Sequence, residues 1–301
     1  MAPELSRLLA RLQDIPYDAP FSFSAHTTVG VGGTAPVAFA PQSAEQIVRC
    51  VRSADEEGVP FYLLGCGSNV LPADAGYGGA IIRTRRAGRM CMQGTLIFAE
   101  SGAAVAALLA FAAANGRGGL AFMAGIPASV GGALFMNAGA RGEYIGSAVE
   151  CVNVYEGGAV RCLSAQDCSF SYKDTHFMRA GSVILSAVFR TRADEHAEEE
   201  IAAALSARAG LPRERSMGCV FKNPPGVSAG ALIERAGLKG MRIGGAQVSE
   251  SHANFLINRG GATASDFCRL IAAVRERVFS ETGILLREEI RYIGDHYASD
   301  G

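Results

Sequence analysis

The chain has 301 residues, 49% of them hydrophobic, and a formal net charge of −1. This is enough apolar material for about two domains with buried cores, and it excludes the basic footprint of a nucleic-acid binder and any acidic tail. No window approaches the roughly 18 consecutive apolar residues that span a bilayer, and the start, Met1 to Arg7, lacks the basic and apolar stretches of a signal peptide.

In chain order, Leu5, Leu8, Leu9 and Leu12 share one helical face. Ser43-Ala44-Glu45-Gln46 reads as a capping box opening a helix to about Gly58. Phe61 to Leu64 is a short buried strand that runs into Gly65-Cys66-Gly67-Ser68-Asn69. Ala80 to Arg83 and Thr95 to Ala99 read as further strands, and Ala103 to Asn115 as a helix stopped by Asn115-Gly116. Val149 to Tyr155 and Ala159 to Leu163 flank Glu156-Gly157-Gly158, a hairpin signal. Val183 to Phe189 is another apolar strand. Asp194 to Arg208 is a charged, alanine-rich helix at which a domain junction is placed, giving 1–195 and 196–301. Thr263 to Asp266 caps a helix whose Phe267, Leu270, Ile271, Val274 and Val278 form one core-facing stripe. Glu288 to Ile293 closes the pattern as a strand. Strands and helices mix without strict alternation, which argues for α+β.

Two side-chain inventories narrow the chemistry. The eight cysteines are scattered, with no CxxC pair. Metal ligation is therefore not expected, and reduced thiols in the cytoplasm are the default. The 37 glycines exceed the roughly 7% average and gather at 30–33, 65–67, 76–79, 116–119, 125–146 and 237–245. Glycine marks backbone that takes φ > 0 or approaches something closely. Clusters without a repeat period suggest several segments converging on one large ligand.

Thr27 to Ala35 is a hydroxyl- and glycine-rich turn, and Gly65 to Asn69 is a second. Such turns are either tight structural turns or anion-binding nests suited to a diphosphate. Neither matches the dinucleotide fingerprint or the P-loop. Ala124 to Ala140 is more specific. It holds Gly125, Ile126, Pro127, Ser129, Gly132, Ala133, Asn137, Ala138 and Gly139, with no ionisable group before Arg141. That suits a surface laid against a flat, partly apolar cofactor; the alternative is close packing of a strand on a helix.

These segments resemble the flavin-binding core of the UDP-N-acetylenolpyruvoylglucosamine reductase family. The resemblance continues in order through Phe170 to Phe177, Gly218 to Pro224, Ala236 to Gly240, Ile243 to Ser249, His252 to Asn258 and Leu286 to Arg291. It spans roughly residues 20–294. It implies an FAD-binding module of the vanillyl-alcohol-oxidase type built from two α+β subdomains, about 1–84 and 85–195, followed by an α+β substrate-binding domain. The short stretch after Tyr172-Lys173 matches the family's second type, which lacks an inserted tyrosine loop. The implied reaction has NADPH reduce a non-covalent FAD, which then passes a hydride to the enolpyruvyl ether of a UDP-sugar. No membrane or nucleic-acid partner is implied.

The resemblance also implies roles. Cys219 stands where many members carry the serine that donates the proton at C2. A thiol of pKa about 8.5 is mostly protonated at neutral pH and is a stronger acid than a hydroxyl; the alternative is a core thiol. Glu289 matches the catalytic glutamate. Glu288 beside it competes, because an alternating strand sends the two to opposite faces. Lys173 departs from the usual arginine after Tyr172 and offers a point charge in place of a planar fork; Arg179 or Arg141 could supply the fork. Tyr172, Asn223 and Arg213 are expected to bind substrate, Arg213 with Arg215 near the diphosphate. Gly65, Gly67, Ser68 and Asn69 join the cofactor set. His252 is read as structural and Cys66 as a small loop residue. The alternatives are a flavoprotein oxidase or dehydrogenase with another substrate, or a flavin-binding relative without activity.

Overall fold

The structure is a computed structural model that describes residues 2–295. Met1 and residues 296–301, the end of the expected 196–301 domain, lie outside the described residues. The chain divides into two compact units, neither continuous in sequence. Residues up to 18, 37–66 and 79–209 make the first; residues 19–36, 67–78 and from 210 onward make the second.

The first unit holds two main sheets. One orders the strands Tyr17–Asp18, Val37–Phe39, Ala80–Arg83 and Phe61–Leu64, with parallel pairing across the last three. Helices Pro3–Arg11 and Ala44–Glu57 bury Leu5, Leu8, Ile47, Cys50, Val51 and Ala54 in its core cluster. The expected capping box at Ser43 forms only by half. Ser43 Oγ accepts the Gln46 N–H, but Gln46 Oε1 reaches one residue further back and accepts the Gln42 N–H. Gly58 ends the helix at a φ of 68°, a left-handed cap open to glycine.

The other sheet is antiparallel and runs Ala159–Ser164, Val149–Glu156, Val183–Arg190, Leu96–Glu100, Met90–Gln93. The expected hairpin at Glu156-Gly157-Gly158 is present, with both glycines at positive φ. Helix Val105–Ala114 is almost uniformly apolar and packs into the same cluster as the short helix Val130–Phe135. The helix expected from Asp194 starts later, at Ala197–Ser206.

In the second unit an antiparallel sheet orders Ser216–Cys219, Phe255–Asn258, Ala246–Val248 and Arg242–Ile243. Helix Ala264–Thr282 buries the predicted stripe of Phe267, Leu270, Ile271, Val274 and Val278. The closing strand is shorter than expected, Arg291–Ile293, and pairs in parallel with Val70–Pro72. Mixed parallel and antiparallel pairing with segregated helices is the expected α+β class.

Candidate functional site

In the first unit, two of the glycine-rich segments meet. A Cβ on Gly65 would lie 2.3 Å from Ser129 Oγ, so only glycine permits the strand end Phe61–Leu64 to run against the second segment. Ser129 in turn accepts the Gly132 N–H at 3.2 Å and caps the six-residue helix Val130–Phe135. Gly125 (φ 76°) packs beneath the Arg208 side chain, and Gly132 is exposed without a Cβ. The result is a surface of small and apolar residues, Gly65, Gly125, Ile126, Pro127 and Gly132, bordered by Arg208. Few side chains project from it, and a broad face of small residues fits a large flat cofactor.

Three residues of the expected cofactor set, Ser129, Ala133 and Asn137, are deeply buried. Ser129 and Asn137 are 1% and 4% exposed, and Ala133 has no exposed surface. Ala133 is core; Ser129 shapes the turn. Asn137, at a φ of 42°, donates from Nδ2 to the Ser171 carbonyl (2.9 Å) and accepts the Gly146 N–H at Oδ1 (3.1 Å). Gly139 is required by the small hairpin with Glu143–Tyr144, since its Cβ would meet the Glu143 carbonyl at 1.9 Å. Cys66 is half-buried, and burial raises its pKa, so it remains a thiol.

The loop bearing Tyr172 and Lys173 belongs to this unit. Ser171 and Asp174 bridge each other, and Lys173 sits between them at a φ of 53°. Tyr172 is exposed and meets Tyr144 edge-on, ring centroids 6.1 Å apart. Arg179 forms an ion pair with Asp174, and Arg141 sits at the tip of the hairpin at a φ of 57°. Arg179 is thus engaged within the loop it was expected to complement.

In the second unit, Cys219 and Glu289 lie on neighbouring segments. The ladder between Ser216–Cys219 and Phe255–Asn258 slips by one residue at Met217-Gly218, with Gly218 at a φ of 75°. A bulge of this kind re-aims the side chain that follows it. Met217 is buried, whereas Cys219 two residues on is only half-buried. Beyond the bulge, the Glu289 N–H donates to the Val220 carbonyl (2.8 Å), Phe221 bridges Glu288, and the Lys222 N–H donates to the Arg287 carbonyl (2.8 Å). Glu288, the competing glutamate, has two side-chain partners. Glu288 accepts from Arg275 Nη1 (3.0 Å) and from the Tyr292 hydroxyl (2.6 Å), so its carboxylate is fixed in a structural network. Glu289 is half-buried beside it, outside the closing strand. Asn69 reaches the same segment: its Nδ2 donates to the Glu289 carbonyl (3.3 Å), and its own carbonyl accepts the Arg291 N–H.

Other expected substrate residues are placed as follows. Asn223 is exposed, and its Oδ1 accepts the Ala229 N–H (2.9 Å) at the start of the next helix. Arg213 is exposed in the stretch leading to the Cys219 strand. Arg215 lies across Gly30, where a Cβ would come 2.4 Å from its Nη1. Burial pushes the His252 pKa below its ordinary value, and the ring packs edge-on against Phe255 at 5.0 Å, in keeping with a structural role. Asn254 was missed as a site residue. It is 2% exposed and bonds both the N–H and the carbonyl of Phe221 (2.9 and 2.8 Å), holding the backbone just after Cys219. An asparagine directly before an apolar strand was the available signal.

Residues 35–156 match an FAD binding domain, and residues 211–293 match the C-terminal domain of UDP-N-acetylenolpyruvoylglucosamine reductase. The chain is 41% identical over 282 residues to the UDP-N-acetylenolpyruvoylglucosamine reductase of Moorella thermoacetica, covering 90% of this chain and 91% of the relative. The chain belongs to the UDP-N-acetylenolpyruvoylglucosamine reductase family. The enzyme of that name from Heliobacterium modesticaldum is 42% identical over 282 residues, covering 90% and 89%. The crystal structure of the reductase from Thermus caldophilus superposes with a TM-score of 0.79 at 33% identity, over 93% of this chain and 98% of that chain. The α+β FAD-binding fold and the oxidoreductase class expected from the sequence follow from this membership. Among the described residues, no helix is long and apolar enough to cross a membrane, and no group of three His, Cys, Asp or Glu side chains could hold a metal ion.

Proposed function

We infer that the chain catalyses the FAD-dependent reduction of UDP-N-acetylglucosamine enolpyruvate to UDP-N-acetylmuramate with NADPH, a step of peptidoglycan precursor synthesis carried out in the cytoplasm. The supporting observation is the pairing of Val220–Lys222 with Arg287–Glu289. It brings the segment that carries the Cys219 thiol alongside the segment that carries Glu289. FAD, when bound, supplies the relay of a hydride from NADPH to C3 of the enolpyruvyl ether.

The chain's residues do the rest. Gly65, Gly67, Ser68 and Asn69, with Gly125, Ile126, Pro127, Gly132, Ala138 and Gly139, would hold the cofactor. Lys173 stabilises the negative charge that gathers on the substrate carboxylate as the double bond is reduced. Tyr172 and Asn223 bind the sugar, and Arg213 meets the diphosphate. Cys219 acts as a neutral thiol and gives its proton to C2, with Glu289 supporting that transfer electrostatically or by proton delivery. In this reading residues 1–195 form the FAD-binding domain, with subdomains near 1–84 and 85–195, and 196–301 the substrate-binding domain.

The test is anaerobic stopped-flow of both half-reactions. The protein should purify yellow, release its flavin on denaturation, bleach with NADPH and regain colour with the enolpyruvyl sugar. Cys219→Ala should bleach at a near-normal rate and be reoxidised about 10²–10³-fold more slowly, since only that half needs the proton. A colourless protein that takes up no FAD, or equal slowing of both halves, would overturn the reading.

A further inference from the structure

We propose that Asn137 is a positioning residue for substrate, acting through the loop that carries Tyr172 and Lys173; this rests on the substrate role given to that loop above. The observation is that one buried carboxamide joins two segments that share no sequence neighbourhood. Nδ2 donates to the Ser171 carbonyl and Oδ1 accepts the Gly146 N–H. Ser171 is the first residue of the four-residue turn Ser171–Asp174. It is closed by mutual backbone bonds, 3.0 Å from the Ser171 N–H and 3.4 Å to the Ser171 carbonyl. Asn137 therefore holds the same carbonyl that closes the turn.

Two further ties act on the same loop. The Thr175 hydroxyl, with no exposed surface, donates to the Phe135 carbonyl at 2.9 Å. Phe170 lies against Gly146, where a Cβ would come 2.5 Å from its ring. The loop is thus fastened at its start, at its turn and at its end to residues 135–146, which continue the cofactor segment. Between these fastenings Lys173 takes a left-handed backbone, a conformation a lysine keeps only when its surroundings impose it. Asn137 is itself left-handed. Asparagine tolerates that region better than other side chains and still reaches a main-chain partner. The same residue thus lies in the cofactor segment and holds the ammonium-bearing turn in place.

The experiment compares holoenzymes of wild type, Asn137→Gly, Asn137→Asp and Thr175→Val. Glycine keeps the left-handed backbone and removes both side-chain bonds. Aspartate keeps the acceptor for Gly146 and sets a carboxylate against the Ser171 carbonyl. FAD content and the rate of bleaching by NADPH should stay within about twofold of wild type. The apparent KM for reoxidation by the enolpyruvyl sugar should rise about tenfold in both Asn137 variants, as expected for loss of buried hydrogen bonds. Thr175→Val should move it in the same direction by less. A purely structural role would lower the melting temperature and leave the KM of the folded holoenzyme alone. That outcome, or loss of FAD with unchanged KM, overturns the proposal. If Asn137→Gly does not fold, Asn137→Asp carries the same test. Wild-type protein that the sugar does not reoxidise sinks the functional reading and this proposal together. Wild-type turnover with unmoved variants sinks this proposal only.

Discussion

Lys173 brings a single ammonium where the family's motif carries a guanidinium. Its backbone is left-handed, and its turn is closed on both sides by Ser171 and Asp174, so the loop fixes the backbone from which the side chain starts. An arginine there would inherit the same placement and add a planar fork able to hold both carboxylate oxygens. Lys173→Arg is expected to keep kcat/KM for the sugar at the wild-type level or raise it up to about tenfold, the scale of one added charge-assisted hydrogen bond. Steady-state kinetics decide it; a drop of tenfold or more would mean that the position does not meet the carboxylate. At this scale residue identities were legible in the sequence, but their aims were not. Cys219 could be singled out from its motif. The bulge that turns it away from the buried side of Met217 depends on register with Phe255, 36 residues on. Likewise Glu288 and Glu289 are chemically identical in sequence. The partners of Glu288, Arg275 and Tyr292, are contributed by a helix and a later strand and could not be read from the dipeptide.

Among the elements, helix Ala264–Thr282 shows how much of a terminus is local. Thr263 to Asp266 cap the helix as expected, and they do so as a reciprocal capping box. That satisfies the third backbone N–H and the cap. The first two, on Ala264 and Ser265, are taken by the Asp74 carboxylate at 2.7 and 2.9 Å, and the Ser265 hydroxyl adds a third bond at 2.8 Å. Asp74 lies about 190 residues earlier, and no helix pattern could have indicated it. Burial pushes its carboxyl up, but the hydrogen bonds from Ser265 and Ala264 outweigh this and hold it below the ordinary range. A depressed folded value means that the stabilisation is complete above the unfolded carboxylate value, about 3.9. It is lost as pH falls through the folded value. Asp74→Ala is therefore expected to cost about 1 kcal/mol at pH 7, the usual worth of a cap at a solvent-screened site. The gap to wild type should stay constant down to about pH 5 and close below about pH 4. Urea unfolding of both proteins across that range measures it; a gap that widens in acid would show that the carboxylate is not the stabilising form.

For the molecule as a whole, the second unit does not coincide with a stretch of sequence. The glycine clusters at 30–33 and 76–79 read as backbone approaching a ligand. In the structure they approach each other. A Cβ on Gly33 would lie 2.5 Å from the Asp74 carbonyl, and one on Gly76 would lie 2.0 Å from the Thr34 carbonyl. Glycine content reports close approach but not what is approached, which is why these segments could not be assigned to the later part of the chain. Their partners lie there. Val29, Val31 and Leu71 sit in one core cluster with Phe221, Leu256 and Val274. The Thr28 hydroxyl donates to the Ser216 carbonyl (2.6 Å), and Asn258 donates to the Val29 carbonyl (3.0 Å). The strand Arg291–Ile293 pairs only with Val70–Pro72 among the described residues. A fragment beginning at residue 210 would keep the residues of the matched C-terminal domain. It would lose that strand pairing, the Asp74 cap and three core side chains. Each buried aliphatic side chain is worth about 1.5–3 kcal/mol, so their loss together approaches the 5–15 kcal/mol that a whole domain typically has. Residues 210–301 made alone should therefore show collapsed amide dispersion by NMR and no cooperative urea transition. A dispersed spectrum with a sigmoidal transition would show that the early segments decorate a self-sufficient domain and do not build it. The same fragment joined by short linkers to residues 19–36 and 67–78 should recover both signatures, because those segments supply the missing strand partner, cap and core.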